Sequence, residues 1–494
     1  MAQSKRSFKF APLVVLISGL CTSCVLSDYF PNTSNRENID VDLATQQVEQ
    51  QKREEAERLE AARKAEEERL AQEKQRQAEE KLVSIVGDRP LQFKSAVAKI
   101  YADREYEQIW TDSAAEKQFL REYAAMVASG ISARSAHSLD LVAGETDKQI
   151  YDILLTDAFL DYLYYSKNVT QSAQSWLYSV NGYRAGAPTD EDIALWLEAV
   201  KNNGNLNFIN GLHANNSLYQ QTLNHIAANL NAVKKESVNN NYKLAINAQR
   251  LRIIPDFYNG IFVNIPSYQL NYYRNGRLTL NSRVIVGKNE RRTPVMYSKL
   301  SNVVVNPPWN APTRLINEDI IPKVKRDPGY LARHGYSIID SRGNTVNPYD
   351  INWAAIGNKF PYRLRQAAGD NSALGRYKFN MPSSDAIYLH DTPNHALFDS
   401  KNRALSSGCV RVDKSDQLAS ILLSEAGWSS DKKQRVLDSK KTTSALIQSD
   451  NPVYLYYVTT WVENGKVQSL PDIYGYDRVG HPDYVNWNTI QKYL

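Results

Sequence analysis

The spacing of apolar residues changes at Pro255, and this change limits the fold more than any other feature of the chain. Before it, between about residues 90 and 254, apolar residues recur at helical spacing in KQFLREYAAMVASG, DILLTDAFLDYLYY and EDIALWLEAV. After it, GIFVNIPSYQLNYYRNGRLTLNSRVIVG alternates apolar and polar residues, as a half-buried strand does. Asn275 and Gly276 separate two such runs and predict a two-residue hairpin turn, because both tolerate positive φ. We therefore predict an α+β chain.

The β-rich part is long enough to contain an insertion. Its strand-like segments are interrupted by a polar, aromatic stretch from about 306 to 371. A connection of this length is uncommon in a compact domain, so we expect an inserted lid. With 494 residues, 42% of them hydrophobic, the chain can form several cores. We predict a helical scaffold at 90–254, a β-rich catalytic domain at 255–480 and a C-terminal tail at 481–494.

A charged segment precedes the scaffold. Neither glycine nor proline interrupts residues 42–86, and acidic residues stand four positions before basic ones, as at Glu60 and Lys64. Its larger apolar residues recur only every eleven positions, which is too few for a coiled-coil seam. We expect a solvated helical spacer, roughly 60 Å long at about 1.5 Å per residue, and a linker at 25–41.

The first 24 residues resemble a secretory signal. Basic residues precede the apolar core FAPLVVLISGL, which is shorter than a membrane-spanning helix. Cys24 follows two small residues, so cleavage before it would leave a cysteine that can be acylated, as in bacterial lipoproteins. Ordinary cleavage and an uncleaved anchor are the alternatives. We expect a periplasmic protein that is attached to the membrane through this lipid.

Charge and composition argue against several partners. The formal charge is +5, and basic residues do not cluster among aromatic ones, so no nucleic acid partner is expected. His213 and His225 lack a surrounding ligand pattern, so we expect neither a metal nor another cofactor. The sequence identifies no protein partner.

Cys409 is the candidate nucleophile. The chain's other two cysteines lie in the N-terminal signal, so Cys409 would be an unpaired thiol in a compartment that favours disulfides. A small buried hydrophobe is the alternative, but Ser407, Gly408 and Arg411 are unusual neighbours for a core residue. Gly408 would permit a close backbone approach and leave N–H groups to face an oxyanion.

His390 is the candidate base. It ends the apolar run IYLH, where a strand would present its ring at the sheet edge, and Asp391 or the backbone beside it could orient the ring. His395 is the rival, although it lies within a loop. We expect an imidazolium at His390 to lower the thiol pKa of Cys409, which would make alkylation fast at mildly acidic pH.

A family resemblance covers the chain from about Trp110 to Asp477. LHDTPNHALFDSKNRALSSGCVRV is similar to the active-site signature of the L,D-transpeptidases, YkuD-domain enzymes that act on peptidoglycan through a cysteine. VNIPSYQLNYYRNG, VVNPPWNAP, RDPGYLARHGY, LRQAAGDNSALGRYKF and PDIYG resemble its large YcbB-type branch. In this resemblance Cys409 matches the nucleophile and His390 the base.

The resemblance implies a reaction and further site residues. Cys409 would attack the third residue of a tetrapeptide stem and release D-alanine, and a neighbouring stem would then form a 3–3 cross-link during cell wall biogenesis. The residues implied to support the oxyanion or the base are Gly408, Ser407 and Asp391. Those expected to contact substrate are Arg411, Trp309 and Tyr377, and Trp309, Tyr330 and Tyr336 are expected lid aromatics that exclude water.

The chain departs from the family pattern at two places, and two other functions remain open on separate grounds. Ser407 stands where many members have histidine, and no separate wall-binding module is evident between HIAANL and AINAQRLR. The alternatives are a non-catalytic protein that binds peptidoglycan or acts as a spacer, and a cysteine amidase or peptidase that acts on the stems.

The N-terminal assignment predicts the mass of the mature protein. We expect mass spectrometry of the protein from a bacterial host to find a chain that begins at Cys24 and carries acyl groups. A mature chain that begins beyond residue 24 without a lipid would contradict the anchor while leaving secretion intact.

Overall fold

The fold is described from a computed structural model, which covers residues 34–179, 182–232, 238–357, 359–477 and 482–494. Over these residues a helical part precedes a β-rich part, so the predicted α+β class is confirmed. The chain divides into two units, one ending at Arg76 and the other running from Gln77 to Leu494.

The helices are α1 (Ser34–Val86), α2 (Lys94–Ala102), α3 (Ser113–Ala128), α4 (Ala133–Gly144), α5 (Lys148–Trp176), α6 (Asp190–Lys201), α7 (Asn205–Asn210), α8 (Ser217–Leu230), α9 (Val238–Arg252), α10 (Thr313–Leu315), α11 (Ile321–Arg326), α12 (Tyr330–Arg333), α13 (Ser415–Glu425), α14 (Ser430–Asp438) and α15 (Trp487–Tyr493).

The strands are β1 (Gly260–Asn264), β2 (Gln269–Arg274), β3 (Arg277–Gly287), β4 (Met296–Lys299), β5 (Asn302–Val305), β6 (Trp309–Asn310), β7 (Tyr336–Ile339), β8 (Thr345–Val346), β9 (Arg363–Gln366), β10 (Tyr377–Asn380), β11 (Leu389–His390), β12 (Ala404–Ser406), β13 (Val410–Val412), β14 (Thr443–Leu446), β15 (Pro452–Tyr456), β16 (Thr460–Glu463) and β17 (Lys466–Ser469).

The charged segment forms the long helix α1. The helix begins at Ser34, before the predicted start at 42, and neither glycine nor proline interrupts these added residues. Residues 34–41 are therefore helical and not a linker, while the rest of the predicted linker lies outside the described residues. Glu60 and Lys64 form the expected ion pair at 2.8 Å.

The sparse apolar residues of α1 remain exposed in this chain. Val48, Leu59 and Leu70 are 49%, 66% and 54% exposed, which agrees with a solvated spacer. Across the described part of the chain, no helix combines the length and the apolar character needed to cross a membrane.

Helix α5 organises the helical domain through buried carboxylates. Asp152 accepts hydrogen bonds from the backbone N–H groups of Ile109 and Trp110. Asp161, 0% exposed, accepts hydrogen bonds from the hydroxyls of Tyr123 and Ser135. These carboxylates satisfy donors in the loop before α3 and at the start of α4, and so hold those segments against α5.

The C-terminal segment predicted as a tail packs onto the helical domain. Helix α15 buries Ile490, and its Thr489 hydroxyl donates to Asp140 of α4. The rings of Trp487 and Tyr242 meet edge to face at 5.0 Å. The apolar residues of α15 are buried only when the chain folds. The local sequence therefore does not predict this packing.

A mixed sheet forms the centre of the β-rich domain. Its strand order is β14-β5-β10-β11-β13-β3-β2-β1-β15-β4, and β12 also pairs with β3. The predicted hairpin is confirmed, because Asn275 and Gly276 join β2 to β3 with φ values of 50° and 72°. In the middle of the sheet, β11 and β13 run parallel to each other.

The segment predicted as a lid, about 306–371, contains a separate small sheet with the order β6-β9-β7-β8. It also has its own hydrophobic cluster, in which Val324, Leu331 and Leu364 are fully buried. The segment therefore packs around a core of its own, separate from the core of the large sheet.

Arg250 joins the helical and β-rich domains. Its guanidinium is fully buried and pairs with Asp477 at 2.7 Å. It also donates to the carbonyl of Leu177, after α5, and to the carbonyl of Tyr476. One side chain thus satisfies acceptors from both domains.

We expect Arg250→Met to lower the free energy of unfolding by about 3 kcal/mol or more, because the change removes the buried donor to Oδ1 of Asp477 and to two carbonyls. The shift of the urea unfolding midpoint measures this loss. Arg333→Met is the matched control, since Arg333 forms an exposed ion pair with Asp327 and should leave the midpoint nearly unchanged. Equal midpoint shifts for both variants would contradict the role of Arg250.

Candidate active site

The pairing of β11 with β13 brings the predicted base close to the predicted nucleophile. Leu389 pairs with Val410 and His390 with Arg411, and Cys409 directly precedes β13. Leu389 and Val410 are fully buried in the core. Because side chains alternate along strands, His390 and Arg411 lie on the other face, which Cys409 also shares. We call this surface the catalytic face.

A third strand adds a cation to the catalytic face. Lys378 of β10 pairs with His390, so that Lys378, His390 and Arg411 form a row across three neighbouring strands. The ammonium of Lys378 lies 4.2 Å from the centre of the Tyr388 ring. Polar residues at alternate positions in RYKF and IYLH are the sequence signal that could have identified Lys378 and Tyr388.

His390 is held as a neutral base. It is 6% exposed, and its Nδ1 lies 2.5 Å from the backbone carbonyl of Asp391. An N–H at Nδ1 donates to this carbonyl, which leaves Nε2 as the acceptor nitrogen. Burial lowers the pKa of His390 to about 3, and the nearby Arg411 and Lys378 act in the same direction.

The thiol of Cys409 is also held in its neutral form. Burial raises its pKa, while hydrogen bonds from Tyr388 and the charges of Lys378 and Arg411 oppose the rise. Burial thus disfavours the charged form of both groups, which argues against the expected imidazolium–thiolate pair. In this arrangement His390 would remove the thiol proton during attack.

The residues before Cys409 form a tight loop, Ser406–Cys409, which we call the nucleophile loop. Gly408 has φ +120°, a conformation that L side chains rarely adopt. Its carbonyl accepts a hydrogen bond from the Thr293 hydroxyl at 2.7 Å, and the Ser406 hydroxyl donates to the Cys409 carbonyl at 2.6 Å. These bonds fix the backbone on both sides of the nucleophile.

The N–H groups of Gly408 and Cys409, the predicted oxyanion donors, differ in whether they already have a hydrogen-bond acceptor. The N–H of Gly408 donates to the Ser406 hydroxyl at 3.2 Å, so it is already occupied. Among the described residues, the N–H of Cys409 has no hydrogen-bond acceptor. The Cys409 N–H is therefore the better candidate to bind an oxyanion, and the expected role of the Gly408 N–H is wrong for this conformation.

Ser407 connects the nucleophile loop to the lid. Its hydroxyl accepts a hydrogen bond from Arg291 at 3.0 Å. The same guanidinium bonds Glu318 at 2.7 Å and Asp319 at 2.8 Å, both in the lid. Ser407 thus contacts a positioned cation, and its expected role near the oxyanion stays a prediction. Arg291 was not predicted, because its partners are distant in the sequence.

Asp391 supports the base through its backbone. Its carboxylate accepts the N–H of Arg376 and the hydroxyl of Ser415, each at 2.8 Å, so only its carbonyl orients the His390 ring. The rival base His395 is 55% exposed, with Nε2 3.7 Å from the Asp391 carboxylate. It lines a separate cavity of about 630 Å³ to which neither Cys409 nor His390 contributes.

The structure contradicts the expected substrate contact of Tyr377. Its side chain lies on the face of β10 opposite Lys378, is fully buried, and donates a hydrogen bond to Asp416 of α13 at 2.5 Å. Alternation along the strand is the physical reason, because adjacent residues cannot both reach the catalytic face.

Trp309 reaches the catalytic face from the lid. Burial raises the pKa of Tyr388, the neighbouring Cys409 raises it further, and a hydrogen bond from the Trp309 indole lowers it. The rings of Trp309 and Tyr336 are 6.1 Å apart, and Tyr330 follows at 6.4 Å from Tyr336. These lid aromatics form one continuous group that ends at Tyr388, the neighbour of Cys409.

Comparison with known proteins supplies a family. The profile of the L,D-transpeptidase catalytic domain matches residues 258–455, and the profile of a scaffold domain matches residues 95–225. A Haemophilus influenzae protein named "Putative L,D-transpeptidase" is 56% identical over 496 residues, which cover 100% of both chains. The crystal structure of Mycobacterium tuberculosis L,D-transpeptidase 1 aligns with 14% identity over 40% of this chain and 61% of that chain, at a TM-score of 0.15 that is too low to bear on the fold.

The neutral pair of His390 and Cys409 predicts the pH dependence of alkylation. The rate with iodoacetamide should rise with pH past about 8.5, the usual thiol pKa, because burial raises the pKa of Cys409. Lys378→Met should move the profile to higher pH, since the lysine charge lowers that pKa. Lys299→Met, at the far edge of the sheet, is the control. A rate plateau between pH 5 and 7 would instead indicate an imidazolium–thiolate pair.

Proposed function

This chain belongs to the L,D-transpeptidase family, and we propose that it forms 3–3 cross-links between peptidoglycan stem peptides through a thioester on Cys409. The observation that carries the proposal is the arrangement of Cys409 and His390. A half-buried thiol precedes β13, and a buried histidine whose Nδ1 is bonded to a carbonyl lies on the adjacent strand. A thiol beside an oriented base is the arrangement that acyl transfer requires.

The first half of the reaction would form the thioester. Nε2 of His390 takes the thiol proton as the sulfur of Cys409 attacks the carbonyl carbon of the third stem residue. A carbon–sulfur bond forms, and the bond from this carbon to the nitrogen of the terminal D-alanine then breaks. The proton passes from His390 to that nitrogen, so D-alanine leaves as a neutral amine.

The second half would regenerate the thiol. An amine from a neighbouring stem attacks the thioester carbon, and its proton passes to His390. The new carbon–nitrogen bond forms as the carbon–sulfur bond breaks, and His390 returns the proton to Cys409. In both halves negative charge develops on the carbonyl oxygen, where the N–H of Cys409 and the charges of Lys378 and Arg411 would stabilise it.

The lid supports transfer over hydrolysis. Water competes with the acceptor amine for the thioester, so a transferase has to exclude it. Trp309 and the adjoining aromatics place apolar surface next to Cys409, and the bonds from Arg291 to Glu318 and Asp319 hold the lid beside the nucleophile loop. A cysteine peptidase would have no need of this cover.

We also propose that the protein acts in the periplasm, attached through an acylated Cys24. The signal-like first residues and the small residues before Cys24 support this proposal. The helical segment after them would then separate the enzyme from the membrane.

Product analysis with purified sacculi tests the reaction. We expect new 3–3 cross-links from the wild-type protein, at least about 100-fold fewer from His390→Ala because general-base catalysis is lost, and none detectable from Cys409→Ser. His395→Ala should retain the wild-type rate, since His395 lines a different cavity. Circular dichroism checks that each variant folds.

The products distinguish the competing functions. Shortened stems without new cross-links would indicate a peptidase, and loss of stems from the glycan would indicate an amidase. Binding to sacculi without any chemical change, by a protein whose Cys409 also forms no adduct with a carbapenem, would indicate a non-catalytic wall protein. Cross-links formed by folded Cys409→Ser protein would overturn the proposed nucleophile.

A further inference from the structure

Two cations on the catalytic face lack an acidic partner. Among the described residues, no carboxylate pairs with Lys378 or Arg411, and the buried Nε of Arg411 has no hydrogen-bond acceptor. The ammonium of Lys378 lies instead over the ring of Tyr388 at 4.2 Å. Lys378 and Arg411 are the cross-strand neighbours of His390 on either side, so they lie close to the candidate reacting atoms.

Two arginines near this place do have acidic partners. Arg291, which borders the nucleophile loop, pairs with two lid carboxylates. Arg283, on the strand that pairs with β13, pairs with Asp399 and Asp413. A partly buried charge without a counter-ion is unfavourable, and burial lowers the pKa of both Lys378 and Arg411. The free protein therefore retains an electrostatic cost that a bound anion would relieve.

We propose that Lys378 and Arg411 form a carboxylate-binding site that recognises the C-terminal carboxylate of the donor stem. This inference rests on the proposed function, because it assigns the donor's leaving group to these two residues. The guanidinium of Arg411 presents paired donors that match a carboxylate, and Lys378 adds a point charge from the neighbouring strands.

The position of the two cations favours the terminal carboxylate over the others in a stem. The leaving residue follows the attacked carbonyl directly, and consecutive Cα atoms are about 3.8 Å apart. Its carboxylate therefore lies within a few ångströms of the sulfur, where Lys378 and Arg411 are found. A stem with one additional residue would carry its carboxylate past this site, so the site would select donors that end one residue after the attacked bond.

Protection of Cys409 from alkylation tests the site without any turnover. With the full-length protein, N-acetyl-D-alanine should slow the reaction of Cys409 with iodoacetamide, and N-acetyl-D-alanine amide should not. Lys378→Met should weaken this protection about tenfold or more, the usual effect of losing a charged hydrogen bond, and Lys378→Arg should restore most of it. Lys299→Met, which removes a lysine paired with Asp450, is the matched control and should protect like the wild type.

Equal protection by the acid and the amide, or no protection by either, would overturn the site. So would a Lys378→Met protein that is protected as well as the wild type. Because this assay needs no product, it can succeed even where cross-linking fails, so the two proposals are tested separately.

Turnover provides the second test. The ratio of kcat/KM for a tetrapeptide stem to that for its C-terminal amide cancels differences in thiol reactivity, since one thiol attacks both substrates. We expect the wild type to prefer the free acid by about tenfold or more, and Lys378→Met to bring the ratio close to one. A variant that slows both substrates by the same factor would show that Lys378 acts only on the thiol. Lys378 is the primary variant because it is less buried than Arg411.

Discussion

The parallel pairing of β11 with β13 is the constraint on which the rest of the site depends. Because Leu389 pairs with Val410 and both enter the core, His390 and Arg411 must share the opposite face. A slip of one residue would turn Arg411 into the core and Val410 out of it, which the burial of apolar surface opposes. Parallel neighbours also need a crossover. The chain between β11 and β13 forms this crossover. It returns beside β3 as β12, which places the nucleophile loop directly before β13.

Burial and charge then decide how this site can react. The interior that positions the ring of His390 also lowers its pKa to about 3, and the same surroundings raise the pKa of Cys409. Burial therefore favours the neutral form of both groups, and in the proposed reaction charge would develop during attack, next to Lys378 and Arg411. A site with two cations and no fixed anion is suited to an anionic substrate and to a transition state that develops negative charge. The third cation, Arg291, is paired with lid carboxylates and so couples the lid to the nucleophile loop.

The helical domain contributes rigidity at a distance from the chemistry. Buried carboxylates on α5 hold the surrounding loops, and Arg250 connects the end of that helix to the last segments of the β-rich domain. The C-terminal helix α15 packs on α4, so the last described residues contact the helical domain. The contacts of Arg250 and of α15 thus hold the β-rich domain against the helical domain. A site built on loops would lack this support.

The sequence by itself determined the elements and the candidate reactive pair. Apolar spacing identified the helical and β-rich parts, Asn275 and Gly276 identified a hairpin, and the neighbours of Cys409 and His390 identified both as candidates, because each of these signals lies within a few residues of the chain. Only the tertiary structure decided the state of that pair, since a pKa depends on burial and on charges brought from other strands. The tertiary structure also placed Tyr377 on the face opposite the catalytic face, and it gave the N–H of Gly408 an acceptor in the Ser406 hydroxyl. It brought Arg291 to Ser407, which lies 116 positions away in the sequence. These outcomes depend on strand register and long-range packing, for which a single sequence contains no local signal.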